Sequence, residues 1–257
     1  MTDALTRLHD FAVELAWAGG RRTLAHYNNA VAVEIKDDGS PVTIADRDAE
    51  QVMRGLIRAR FPDHAIVGEE FGADEDVAPG GVRWILDPID GTKAFVHGVP
   101  FYGTLVAAEV DGEPLVGAMY FPALDEMIVA AKGRGCRWNG RPCRVTEGVP
   151  LSRALVTTTC IDSLAARLGP ERYAELCART WLRRTWADCY AYALLATGRA
   201  HVAVDAEVTL WDCGPLLTIV EEAGGRFTSW AGERTIGGGD AVASTADLYD
   251  EVREIIR

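Results

Sequence analysis

Basic residues are scarce in this chain: 26 lysines and arginines against 38 aspartates and glutamates leave a formal net charge of −12 over 257 residues. That balance argues against a protein that grips nucleic acid with a broad cationic face, because such binding draws its free energy from neutralising phosphates. Long apolar runs are missing too. No stretch approaches the roughly 18 consecutive apolar residues of a membrane span. The opening segment MTDALTRLHDFAVELAWAGG has acids early and no cationic stretch ahead of an apolar one, so it reads as an amphipathic helix and not as a secretory leader. A cytoplasmic location follows as the expectation. The six cysteines (Cys136, Cys143, Cys160, Cys177, Cys189, Cys213) are scattered without a C-x-x-C pair, which favours reduced thiols over a zinc site or a disulfide framework. Internal repeats and low-complexity segments are absent.

What is present is ordinary for a globular enzyme: 48% hydrophobic and 25% charged residues. The length suffices for one large domain or two smaller ones. Leu5, Leu8, Phe11, Ala12, Leu15 and Ala16 share one helical face, predicting a helix from residue 3 to about 28. VEIKDDGSPVT reads as a short strand and an acidic turn leading into a second helix, TIADRDAEQVMRGLIRARF, with Thr43 as its cap. HAIVGEEFG and VRWILD read as short buried strands, the second ending at Asp87. FYGTLVAAEV, EPLVGAMYF and EMIVAAKG suggest an antiparallel meander, followed by a hairpin through Asn139-Gly140. Strands and helices then alternate: strand 154–158, helices near 161–181, a strand near 183–185, helix 188–197, strand 201–205 and helix 212–224. The fold class is α/β (α+β), with a soft division into 1–150 and 151–257.

The stretch WILDPIDGTKAF puts two carboxylates, Asp87 and Asp90, three places apart at the end of an apolar run. Like charges so close repel and lose hydration, so they call for water or a cation. Asp46, Glu69 and Asp212 also stand at element ends. Hard divalent cations take such oxygen ligands. Pro88 keeps the backbone from coiling, leaving the Ile89 carbonyl free, and Gly91 and Thr92 open a helix whose amides suit a phosphate. Each piece has a plainer reading. Asp-Pro and Asp-Gly are common turn dipeptides, Asp212 is a candidate helix cap, Asp46 complements a helix dipole, and GEE is commonly solvated loop.

Taken together, PVTIAD (41–46), GEE (68–70), WILDPIDGT (84–92), LWD (210–212) and EEAGG (221–225) resemble the inositol monophosphatase family of magnesium-dependent, lithium-sensitive phosphatases over nearly the whole chain. The resemblance implies a layered αβαβα sandwich, a small-molecule phosphate monoester as substrate, and a homodimer. It implies that Glu69, Asp87 and the Ile89 carbonyl hold one magnesium ion, that Asp87, Asp90 and Asp212 hold a second, and that Glu69 holds a weaker third. Thr92 and Asp46 become the pair that orients the attacking water, with Glu69 beside them; no histidine receives a role.

The segment WADCYAYALLATGRAHVAVDAEVTLWD (186–212) resembles the family's histidinol-phosphate branch. Histidinol carries an ammonium and an imidazole, so Asp188 and Asp205 would supply charge where a cationic leaving group needs it; their plainer readings are a helix cap and a strand end. Arg183 or Arg184 is a candidate for holding phosphate or shaping the dimer, and Gly91 and Thr92 for the phosphate cradle. Inositol 1-phosphate or another sugar or nucleotide phosphate is the alternative substrate, and a non-catalytic metal-binding regulator the distant one.

Overall fold

The computed structural model describes residues 2–37, 39–74, 77–186 and 188–257. The first helix, α1 (Thr2–Leu24), buries Leu8, Phe11, Ala12, Leu15 and Ala16. It stops short of residue 28, and the left-handed backbone of Asn28 (φ 59°) and Ala30 (φ 48°) follows its terminal turn. Two short strands, β1 (Val33–Ile35) and β2 (Pro41–Thr43), pair antiparallel, so the predicted strand and turn are in fact a hairpin. Thr43 caps α2 (Ile44–Arg60), accepting from the Ala45 amide at 3.1 Å.

An eight-stranded sheet comes next in the chain. It comprises β3 (Ala65–Gly68), β4 (Gly72–Ala73), β5 (Val82–Asp90), β6 (Gly103–Val110), β7 (Glu113–Phe121), β8 (Glu126–Ala131), β9 (Cys136–Trp138) and β10 (Arg141–Cys143), with α3 (Thr92–Val96) between β5 and β6. Its order is β10-β9-β8-β7-β6-β5-β3-β4, antiparallel except for β3 beside β5. Two-residue turns with positive φ at both positions, Asp111-Gly112 and Asn139-Gly140, set the β6–β7 and β9–β10 registers.

The remaining chain builds a second sheet from β11 (Leu155–Thr157), β12 (Leu182–Arg184), β13 (Val202–Asp205), β14 (Gly225–Thr228) and β15 (Ala241–Thr245), in the order β12-β11-β13-β15-β14. Its helices are α4 (Ile161–Arg179), α5 (Asp188–Ala196), α6 (Leu210–Glu222) and α7 (Tyr249–Ile256). α4 is broken at Gly169 (φ 74°, ψ 167°), just ahead of Pro170, consistent with the plural helices expected there.

Strand side chains alternate between faces, and the two-residue period sorts the core into layers. On β5 and β6, Trp84, Leu86, Val106 and Ala108 join α1 and α2, whereas Ile85, Leu105 and Ala107 join α5 and α6. On the second sheet Leu155, Ala203, Ala241 and Ala243 face that same middle layer, and Val156, Val202, Val204 and Val242 pack against α4 and α7. The result is helix, sheet, helix, sheet, helix: an αβαβα sandwich. Because both faces of each sheet are covered, the strands read as near-continuous apolar runs. In the middle layer α6 lies so close to β7 that a Cβ on Gly117 would meet the Pro215 backbone. That contact seats the helix carrying Asp212.

Candidate active site: carboxylates gathered from both sheets

Strand β5 does not end at Asp87 but continues through Pro88 to Asp90. Asp87 pairs with Leu105 and Asp90 with Gly103, so three steps along β5 match two along β6. This is a β-bulge. In a regular strand residues three apart point to opposite faces, and the extra residue brings them to the same side. Pro88 lacks the N–H that a regular ladder would need, and its carbonyl accepts from Thr104 Oγ1 at 2.8 Å.

Asp87, Asp90 and Asp212 each offer a carboxylate oxygen, and these oxygens lie within 4.8 Å of one another. Asp87 is 1% exposed, and its Oδ1 is buried with no hydrogen-bond partner among the described residues. Burial pushes its carboxyl well above the usual range, with the charges of Glu69, Asp90 and Asp212 adding to the effect. Asp90 is raised likewise, by burial and then by Asp188 and Asp212, although the Cys189 amide donates to its Oδ2 at 2.6 Å. Three crowded carboxylates with an orphaned buried oxygen are an all-oxygen donor set that fits a hard divalent cation.

Asp212 and Asp46 occupy equivalent places on their helices. Asp212 is not the cap of α6, as its plainer reading had it; Thr209 precedes the helix, and Asp212 Oδ2 accepts the Thr209 N–H at 2.7 Å. On α2, Asp46 Oδ2 accepts the Thr43 N–H at 2.8 Å and the Thr43 hydroxyl at 2.7 Å. Both stretches read T-x-x-D, a capping-box spacing. Asp46 spends Oδ2 on the cap and turns Oδ1 toward Thr92 Oγ1, 3.4 Å away. Thr92 Oγ1 is also 3.0 Å from the Ile89 carbonyl, and its one proton serves one acceptor at a time. Burial raises the Asp46 carboxyl, with the Thr43 donors opposing.

Glu69 follows β3. Burial pushes its carboxyl up to about 7, against the pull of Lys36, whose ammonium lies 2.8 Å from Glu69 and 2.7 Å from Glu70. Sequence reasoning missed Lys36 and Glu70. The available signal was a lone cation in an acidic turn, VEIKDDGS, which becomes meaningful only when the β1–β2 hairpin folds over the end of β3.

Gly91 is left-handed (φ 83°), and a Cβ there would sit 2.8 Å from Asp188 Oδ2, so both backbone and space require glycine. The helix it opens has five residues. Asp188, at the start of α5, also has positive φ (48°); burial and the charges of Asp205 and Asp212 raise its carboxyl to about 7, opposed by Lys93. Ala187 lies outside the described residues. Asp188 lines a cavity of about 70 Å³ with Asp90, Thr159, Asp205, Glu207 and Asp212. Asp205 is nearly sealed by its own protein: Oδ1 accepts from the Thr159 amide (2.6 Å) and the Thr158 hydroxyl (3.3 Å), and Oδ2 from Tyr192 (2.8 Å). A wider depression of about 620 Å³, lined by Arg58, Asp63, His64 and Asp74, shares no residue with the cluster.

The structure does not bring Arg183 to this place. Its guanidinium donates to the Cys177 and Thr180 carbonyls at 3.0 and 2.9 Å, tying β12 to the end of α4. Arg184 donates to the neighbouring Arg183 carbonyl.

The sequence model of the inositol monophosphatase family matches residues 4–257. The chain is 42% identical over 234 residues to a histidinol-phosphatase of Chlorobaculum parvum, covering 91% of this chain and 90% of that one. It is 38% identical over 225 residues to a histidinol-phosphatase of Mycobacterium tuberculosis, covering 86% of each. Its fold is similar to that of the solved Thermotoga maritima IMPase, with a TM-score of 0.85 at 30% identity over 96% of this chain and 95% of the other.

Proposed function

The chain belongs to the inositol monophosphatase family and is a phosphoric monoester hydrolase, and on that premise we propose that its substrate is histidinol phosphate, cleaved with magnesium to histidinol and phosphate. The single observation that carries the metal dependence is the Asp87, Asp90 and Asp212 cluster with its orphaned Asp87 oxygen. These three, with Glu69 and the Ile89 carbonyl, are the residues that would hold two to three ions. When bound, magnesium supplies Lewis acidity toward the phosphoryl oxygens and the attacking water. The chain's own groups do the rest. Thr92 Oγ1 would take the water's proton as its own hydroxyl proton passes to Asp46, whose buried carboxylate holds that threonine in place. The bulge and the α3 turn align Thr92 with the acids, which is positioning for in-line attack.

Choice of leaving group falls to the cavity beyond Asp90 and Asp212. Its lining is acidic, with Asp188 and Glu207 beside the hydrogen-bonded Asp205, which suits a cationic leaving group better than a neutral polyol. Similarity to two histidinol-phosphatases supports the same reading. The runner-up is inositol 1-phosphate, supported by the likeness to the Thermotoga maritima IMPase. Phosphate release from histidinol phosphate, inositol 1-phosphate and fructose 1,6-bisphosphate, each with magnesium and with EDTA, tests both parts. Equal turnover of all three rejects the substrate assignment, and full activity in EDTA rejects the metal.

Lithium inhibition, with potassium as the ionic-strength control, belongs to the same proposal, as do a cytoplasmic location and a homodimer. The exposed Trp181 and Trp186, flanking edge strand β12, favour association of two copies, which light scattering would measure. Among the described residues no helix is long and apolar enough to cross a membrane.

A further inference from the structure

Outside the acid cluster, the edge hairpin of the eight-stranded sheet brings two cysteines together. Cys143 on β10 pairs directly with Cys136 on β9, and their sulfurs lie 3.4 Å apart, in hydrogen-bond contact. Opposed residues of an antiparallel pair have Cα atoms about 4.5–5.5 Å apart, inside the disulfide window of about 4.4–6.8 Å. We propose that Cys136 and Cys143 form a dithiol site that is reversibly oxidised to a disulfide by low-molecular-weight disulfides.

The two sulfurs are unequal, and the inequality sets the order of events. Cys136 is 3% exposed, whereas Cys143 is half-buried on the outermost strand. The Cys136 thiol beside it, and then the Arg199 guanidinium, hold Cys143 below the ordinary thiol range against the effect of burial, while the same contact and burial push Cys136 up. Arg199 is fixed there by stacking over Trp138 and by its ion pair with Glu126. Cys143 is therefore the attacking thiolate: it bonds to one sulfur of the small disulfide and expels the first small thiolate. Cys136 then loses its proton to that leaving thiolate or to water, bonds to the Cys143 sulfur, and expels the second small thiol. Two protein thiols are oxidised by two electrons and one small disulfide is reduced to two thiols. The other cysteines lack these features together: Cys189 and Cys213 are buried among the acids, and Cys160 is exposed.

Oxidised glutathione on the full-length protein is the test, followed by acid quench, alkylation and peptide mapping. The expected result is loss of two of the six thiols, a Cys136–Cys143 linked peptide, and recovery of both thiols with a dithiol reductant. In Cys136→Ser the reaction should stop with one glutathione on Cys143, and in Cys143→Ser Cys136 should stay unmodified. Hydrogen exchange across residues 136–143 should slow in the oxidised protein, because the outer strand is then tied to the sheet. An intact pair under conditions that modify Cys160, or a persistent glutathione adduct on wild-type Cys143, overturns the proposal. So does modification of Cys136 in the Cys143→Ser protein at the wild-type rate.

Discussion

Asp87 in the bulge of β5 and Asp205 at the end of β13 are almost equally hidden, at 1% and 2% exposure, yet the two regions treat a buried carboxylate in opposite ways. Around Asp205 the residues after β11 supply an amide and a hydroxyl and α5 supplies the Tyr192 hydroxyl, three donors that oppose the upward push of burial on its carboxyl. Around Asp87 the first sheet and α6 supply more carboxylates and leave one oxygen with no donor. A buried charge without partners costs several kcal/mol, and burial among these acids accordingly raises the Asp87 carboxyl, an effect that a bound cation would reverse. One region is a finished hydrogen-bond network; the other is an open ligand set.

The sharpest way to break that contrast is to neutralise Asp87. Asp87→Asn removes the carboxylate that faces both Asp90 and Asp212, and turnover should fall by roughly three orders of magnitude or more, the several kcal/mol that metal charge stabilisation supplies. Isothermal titration with magnesium should show weakened binding in parallel. Wild-type turnover in this variant would mean that the orphaned oxygen serves nothing.

Thr92→Ala separates proton handling from ligand charge. It removes a hydroxyl 3.4 Å from Asp46 and no carboxylate, so kcat should drop by about 10²- to 10⁴-fold while magnesium affinity stays near wild type. A matching collapse of metal affinity would make Thr92 a support for the Ile89 carbonyl it also touches.

Asp188→Asn tests the leaving-group side. A hydrogen bond between charged groups is worth roughly 1.5–3 kcal/mol, or about 10- to 150-fold. Kcat/KM for histidinol phosphate should fall by that factor, with inositol 1-phosphate little affected. Equal losses on both substrates would reduce Asp188 to a part of the α5 start that packs on Gly91.

These residues also show which features are legible in one dimension. The strands of the meander, the Thr43 cap and the Asn139-Gly140 hairpin are local: periodicity, a capping side chain and a turn dipeptide carry them. The bulge at Pro88 is not, since it exists only as a mismatch in register against β6. The acids of the site were found because they resemble a known set, whereas the geometry that joins Asp87 to Asp90 needed the partner strand. The T-x-x-D spacing of Asp212 is readable, but its plainer reading as the cap itself places the helix start too late, since α6 begins at Leu210. The setting of Arg183 is tertiary and was not readable: its Nη1 donates to carbonyls at the end of α4.

Titration probes the open region through Glu69. Burial raises Glu69 from 4.5 to about 7 in the folded state. Below about pH 4.5 both folded and unfolded carboxyls are protonated and nothing is lost; between there and pH 7 the folded state holds protons that the unfolded chain has released, so stability falls as pH rises. In EDTA, the melting temperature of wild type should therefore decline from pH 5 to 8 more steeply than that of Glu69→Gln, at about 2–4 °C per kcal/mol. Identical slopes would show that the Lys36 ammonium already balances the charge.

The smallest effect belongs to Asp205, and its smallness is the point. Asp205→Asn keeps one carbonyl oxygen for the Thr159 amide and offers an NH2 to Tyr192, whose hydroxyl can rotate and accept instead of donate. Only the Tyr192 O–H then loses its acceptor, at about 1–3 kcal/mol, so the melting temperature should fall by several degrees at about 2–4 °C per kcal/mol, and histidinol phosphate and inositol 1-phosphate should lose activity alike. Asp205→Ala strands the Thr159 N–H and the Tyr192 O–H, about 1–3 kcal/mol for each unsatisfied group, and should melt well below the asparagine variant. Calorimetry on the two proteins decides the matter. If the asparagine variant instead lost histidinol phosphate selectively with an unchanged melting temperature, Asp205 would still have a lone pair committed to the leaving group, and its region would be as open as that of Asp87.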